Sequence, residues 1–256
     1  MCGRYSITTP VDALRRAFDI DERPNLAPRY NAAPTQSLPV VRRTRAGRHA
    51  IKLLRWGLVP SWAKEASIGA RLINARAESV ADKPAFRAAF RHRRCLVPAD
   101  GFFEWQADPV SGRKQPFHIH APDRGVFAFA GLWEEWRGPE GAIETFAIIT
   151  TDANRRLGAI HDRMPVVLDG AAYRAWLAPD ALAADLQALL VPAPDDTLIA
   201  TPVSTRVNRV ANDDPACIAP LAADGYDAGR TGQTLARDRR VRPGPEPDSD
   251  PGSEIV

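Results

Sequence analysis

Apolar residues along the chain recur mainly at alternate positions or in short runs, punctuated by proline and glycine. That rhythm predicts many short strands with a few helices. Arg4-Tyr5-Ser6-Ile7 reads as an opening strand. Thr9-Pro10 then supplies an N-cap and a first-turn proline for a helix with Val11, Leu14 and Phe18 on one face. Residues 24–39 are turn-rich and are predicted irregular, a loop either packed across the domain or used for binding. Strands are predicted over residues 38–42, 50–55, 95–98, 115–120, 126–132, 144–150, 166–168 and 201–203, and a short helix over 84–90. Residues 171–190 read as two helices broken by Pro179. The expectation is one α+β domain over residues 2–222, with a curved, barrel-like, mostly antiparallel sheet core and flanking short helices.

Trp56 to Ala63 interrupts the pattern, because two tryptophans, a glycine and a proline in eight residues fit neither a regular helix nor a central strand. Trp56 is expected in the core. Trp62 either packs inward or offers a stacking platform for an exposed base. From Asp224 onward aliphatic residues are few and proline, glycine and acids dominate, so residues 223–256 are expected to form a disordered tail.

Composition narrows the class. Apolar residues make up 45% and charged residues 25% of the 256, ordinary for a globular protein. Neither a membrane-spanning run nor a secretory signal is present, and the expected location is the cytoplasm. The net charge of +3 hides an asymmetry: residues 1–98 hold 19 Lys+Arg against 7 Asp+Glu, residues 99–223 hold 10 against 17, and residues 224–256 hold 5 against 7. The first part of the chain can therefore line a basic, arginine-rich face suited to phosphate. Cys2, Cys95 and Cys217 are widely spaced, and His118 and His120 share a strand face without a third ligand. No metal and no cofactor are expected.

The candidate chemistry starts at Cys2. Trimming of Met1 places an α-amine and a thiol on one residue, a pair that condenses with an aldehyde to an imine and closes it to a thiazolidine. The amine, with pKa about 7.7–8.0, is partly unprotonated at neutral pH. Across Phe102-Phe103-Glu104-Trp105, alternation turns Glu104 to the face of Phe102 and away from Phe103 and Trp105. Glu104 is then either a solvent-facing carboxylate or a general acid in a partly apolar pocket. His161, followed by an Asp-Arg pair, is either structural or an acid-base group titrating near neutrality.

Taken in order, Cys2-Gly3-Arg4-Tyr5, Arg29-Tyr30-Asn31 with Ala33-Pro34, Trp56-Gly57, Asn74-Ala75-Arg76 with Glu78, the run from Ala99 to Trp105, and Ile160-His161-Asp162-Arg163-Met164-Pro165 form a specific set across most of the chain. The set resembles the SOS response-associated peptidase (SRAP-domain) family, proteins that crosslink to abasic sites in single-stranded DNA. The resemblance implies a compact barrel-like α+β fold with a basic groove. It implies Cys2 as the crosslinking residue, with Asn74, Glu104 and His161 as active-site partners. It places Asn31, Pro34, Arg76, Thr150 and Arg163 around the lesion and its phosphates, with Arg4 as a further phosphate contact and Trp62 as a stacking or wedge residue. The implied partner is single-stranded DNA carrying an abasic site, including single/double-strand junctions, and the expected state is a monomer. Lyase activity can accompany crosslinking. Two alternatives stay open: a cysteine peptidase that removes its own initiator methionine, and a non-enzymatic single-stranded DNA-binding protein.

Overall fold

The computed structural model describes residues 2–139 and 141–221, so the tail expected from residue 223 lies outside the described residues. The strands are β1 (Tyr5–Ile7), β2 (Arg29–Ala32), β3 (Ser37–Arg43), β4 (His49–Trp56), β5 (Asn74–Arg76), β6 (Arg94–Ala99), β7 (Gly101–Ala107), β8 (Lys114–His120), β9 (Phe127–Gly138), β10 (Gly141–Asp152), β11 (Arg163–Pro165), β12 (Val167–Leu168) and β13 (Ile199–Pro202). The helices are α1 (Val11–Phe18), α2 (Arg87–His92), α3 (Gly170–Leu177) and α4 (Ala183–Ala188). None is long and apolar enough to cross a membrane.

The runs rich in Val, Ile, Leu and Phe close a five-stranded barrel in which β10, β4, β3, β6 and β9 pair in turn and β9 pairs back to β10. Only the β4–β10 junction in this ring is parallel. Trp56 is core, stacked on Phe146 with ring centroids 6.1 Å apart, and Tyr5 meets it edge-on at 5.3 Å. Fully burying each such ring contributes about 1.5–3 kcal/mol.

A second, antiparallel sheet, ordered β13-β8-β7-β1-β2, lies against this barrel. Alternation gives the sheet two apolar faces. Tyr5, Phe102 and Ile119 join the main core, while Phe103 packs outward with Val203, Val207 and Cys217. That second cluster is covered by residues 203–218, a strap that returns across β1 and β2. Asp213 pins it by accepting the backbone N–H groups of Tyr30 and Asn31 (2.6 and 2.9 Å) and pairing with Arg29. Asn31 Nδ2 donates to the carbonyls of Val207, Arg209 and Asn212.

The turn-rich stretch 24–39 is thus not wholly irregular: Arg29–Ala32 forms β2, with its outer N–H groups satisfied by Asp213 from more than 180 residues away. Thr9 does not cap α1. Its hydroxyl bonds Asp100, and Pro10 takes the cap position. The helix expected over 84–90 begins only at Arg87, after a turn in which Phe86 N–H bonds Lys83 O. Of the strand expected over 166–168, Val167–Leu168 forms β12 on β9, while Val166 donates to Ile149 O and the residues before it, Arg163–Pro165, form an unexpected strand, β11, on β10.

Removing the Asp213 carboxylate strands two N–H groups and the Arg29 guanidinium. Asp213→Ala is expected to cost about 2 kcal/mol, read as a lower midpoint in urea with an unchanged slope, and to make the strap the first segment cut in limited proteolysis.

Candidate functional site

The site is assembled by register. Pairing of Tyr5 with Phe102, and the Phe103 N–H donated to Arg4 O at 3.0 Å, carries the chain terminus along β7 toward Glu104. From the other side, β5 pairs in parallel with β10, setting Asn74 opposite Ile148. Asn74 Nδ2 donates to the Cys2 carbonyl at 2.9 Å, and its Oδ1 is buried without a hydrogen-bond partner among the described residues. His161 follows the short 3-10 turn Leu157–Ala159, to which its N–H is tied (3.0 Å to Leu157 O). Its Nδ1 accepts the Arg163 N–H at 2.9 Å, which leaves the ring proton on Nε2, 3.9 Å from Glu104 Oε2. The same Nδ1 lies 2.9 Å from Asp162 Oδ1, to which it can donate only when protonated.

Burial sets the charges. Glu104 follows Phe102 on the core face of β7 and is only 4% exposed, and loss of solvation pushes its carboxyl up to about 7. The positive amino terminus of the chain and Lys114 pull the other way, and Asp162 adds to the rise. His161 is held below its ordinary value, first by burial and then by that same amino-terminal charge. The Cys2 thiol, fully buried, is driven well above the usual thiol range by desolvation and then by Glu104. A carboxyl poised near neutrality beside a neutral imidazole and a neutral thiol is a proton-transfer set.

A cavity of about 460 Å³ opens beside Glu104 and His161, with Trp105, Lys114 and Asn208 as further walls. Trp105 Nε1 donates to Asn208 Oδ1 at 2.8 Å. Sequence reasoning did not single out Lys114 or Asn208. Lys114 lies one residue before the strand expected over 115–120 and is set opposite Ala107 by the β7–β8 register, and the return of the strap that brings Asn208 to Trp105 had no local signal.

Cys2, Asn74, Glu104 and His161 are brought together, whereas the other candidates divide. Arg76 is exposed, and Thr150, opposite it in the β5–β10 register, is buried with no partner for Oγ1 among the described residues. Arg163 is committed to carboxylates, with bonds to Glu78 (2.9 and 3.0 Å), Asp152 (2.6 Å) and Thr150 O (2.8 Å). It holds the Glu78 carboxyl below its ordinary range. Arg4 bonds Asn31 Oδ1 and Val207 O, and Asn31 is wholly buried, so both act on the strap. Pro34 is half-buried, and Trp62 is 60% exposed with its Nε1 3.4 Å from Pro84 O. His118 is closed into a buried group with Ser6, itself bonded to Asp100. Among the described residues no cluster of His, Cys, Asp and Glu is placed to hold a metal ion.

A family model described as SOS response associated peptidase (SRAP) matches residues 1–210. The chain is 41% identical over 224 residues to abasic site processing protein YoqW of Bacillus subtilis, a match covering 85% of this chain and 99% of that protein. It is 33% identical over 269 residues to abasic site processing protein HMCES of Rattus norvegicus, covering 86% and 76% respectively. A crystal structure of a Bacteroides thetaiotaomicron protein superimposes with TM-score 0.77 at 27% identity, over 86% of this chain and all of that one.

Glu104 binds its proton more tightly folded than unfolded, so the fold loses stability as pH rises from the ordinary carboxyl value of 4.5 to about 7. Glu104→Gln removes that loss. The variant is expected to gain on the order of 2–3 kcal/mol over the parent at pH 8 relative to pH 4, measured by urea unfolding at both pH values.

Proposed function

The chain belongs to the SOS response associated peptidase (SRAP) family, and on that premise we propose that it captures abasic sites in DNA by a covalent crosslink through Cys2. One observation carries this reading: the Cys2 carbonyl is fixed by Asn74 beside a buried Glu104 whose carboxyl titrates near 7. The names its relatives carry support the substrate class.

With Met1 removed, the Cys2 amine attacks C1′ of the ring-opened deoxyribose aldehyde to give a carbinolamine. Loss of water leaves an imine. Glu104 in its acid form supplies the proton to the departing hydroxyl, and the His161 Nε2–H, 3.9 Å away, stabilises the carboxylate left behind. The thiol then adds to the carbon of the protonated imine, its proton returns to the Glu104 carboxylate, and the nitrogen keeps its own proton as the neutral amine of the closed thiazolidine. The net change is loss of one water. A neutral thiol suffices, because the protonated imine is the stronger electrophile. Glu104 in its acid form also favours opening of the closed sugar. Asn74, with one amide group on the Cys2 carbonyl, keeps its Oδ1 for the amine or the sugar. Without ring closure the imine can undergo β-elimination, the lyase branch, and the thiol suppresses it.

A missing base removes stacking and pairing, so an abasic nucleotide is cheap to turn into a pocket. Exposed Arg76 and Trp62, with Pro34, Thr150 and Arg163 shaping the wall, serve the flanking single strand. Its binding is phosphate-directed and weakens with salt. Arg4 and Asn31 act through the strap. The peptidase alternative ranks second, because a cysteine peptidase needs a thiolate at neutral pH, whereas burial and Glu104 hold this thiol protonated.

Met1-free protein incubated with a single-stranded oligonucleotide carrying one abasic site is expected to give a mass of protein plus oligonucleotide minus one water, without reductant. The species should vanish in Cys2→Ala. In Cys2→Ser it should survive only after hydride trapping. An equally heat-stable adduct from Cys2→Ser would overturn the thiazolidine step. Glu104→Gln is expected to slow crosslinking roughly a hundredfold and to move the apparent pKa of the rate from near 7 to the amine's own range of about 7.7–8.0, measured by single-turnover assays from pH 5.5 to 9.

A further inference from the structure

We propose that the cavity beside Glu104 and His161 is a nucleotide subsite, which takes the residue next to the abasic one with its base against the Trp105 ring and its phosphate on Lys114; this rests on the crosslinking reading. About 460 Å³ lies within the 300–1,000 Å³ usual for small-molecule sites, roughly what one nucleotide needs. The walls carry the matching chemistry. Trp105 is half-buried, and the bond from its Nε1 to Asn208 fixes the ring plane and leaves a face for stacking. The holder is itself held, since Asn208 ends the 3-10 turn Thr205–Asn208 and the neighbouring Val207 carbonyl accepts from both Arg4 and Asn31. Lys114, at the start of β8, is exposed and is the only cation among the described residues lining the cavity. Glu104 lines the same space and Asp162 stands nearby, so without the Lys114 ammonium the cavity would repel a phosphate. This assignment also gives the Arg4–Asn31 grip a purpose in binding, since it holds the strap that carries Asn208.

The test measures equilibrium binding of the full, Met1-free chain to a single-stranded oligonucleotide carrying one tetrahydrofuran residue, which cannot crosslink, across a salt series. Lys114→Ala is expected to weaken binding about tenfold at low salt and to lower the slope of log K on log salt by about 0.7, one phosphate contact on a single strand. Lys114→Arg should restore both. Trp105→Leu should weaken binding about tenfold, and Trp105→Phe should recover most of it. In crosslinking assays on true abasic DNA, the Lys114→Ala loss should lie in the half-saturating DNA concentration, with the pH profile displaced only by the small upward step that loss of the Lys114 pull on Glu104 brings. Wild-type affinity and salt slope in Lys114→Ala would overturn the subsite. So would a loss confined to the saturating rate with a displaced pH profile, since Lys114 would then act through Glu104 and His161. If the wild type binds the oligonucleotide but never crosslinks, the crosslinking reading fails, while the binding comparisons still decide the subsite.

Discussion

Everything in this molecule depends on the first strand being an interior one. Chain termini fray unless they are tied down, yet here residues 5–7 sit between β7 and β2 with neighbours hydrogen-bonded on both sides. That pairing turns a loose end into a fixed one. It brings the Cys2 carbonyl within reach of Asn74, aligns residue 4 with Phe103, and carries the terminus to Glu104. A one-residue slip of β1 would reverse its faces and move Tyr5 out of the aromatic core where it meets Trp56 and Phe129. The hydrophobic core therefore fixes the register, and the register fixes the chemistry.

The electrostatics follow from the same placement. Phe102 and Glu104 share a face of β7, so the direction that sends the phenyl ring into the core sends a carboxylate to its margin. The cost of keeping that carboxylate there as an anion is what brings its titration to neutrality. Several basic residues of the first ninety-eight serve structure instead. Arg29 holds the strap, Arg42 lies over Trp133 and bonds Glu144, Arg93 pairs with Glu134, and Arg94 caps the carbonyls of Phe90, Arg91, Trp176 and Ala178. Arg71, Arg76, Lys83, Arg87 and Arg91 stay exposed, and only such residues can meet a polyanion directly.

Much of this was legible in the chain. Alternation at 102–105 put Glu104 on the face of Phe102 without saying whether that face met solvent, the apolar runs foretold the barrel strands, and the family resemblance named four residues that the fold sets near one another. The misses share a physical cause. Arg29–Ala32 looks like loop because the N–H groups of Tyr30 and Asn31 are satisfied by the distant side chain of Asp213. The role of Arg4 and Asn31 on the strap was hidden for the same reason, since their partners are backbone carbonyls, which have no identity in a sequence. Lys114 and Asn208 went unnoticed because a lone lysine and a lone asparagine carry no pattern, and only the folded strap sets one of them against Trp105.

The contact between Arg4 and Val207 spans 203 residues. A ribosome delivers Arg4 long before Val207, which emerges only after β7, β8 and β13. Cys2 and its neighbours are therefore made well ahead of the strap that encloses them. Any processing beside Cys2 that needs an open chain has the time taken to translate those residues in which to occur before the strap shuts over it.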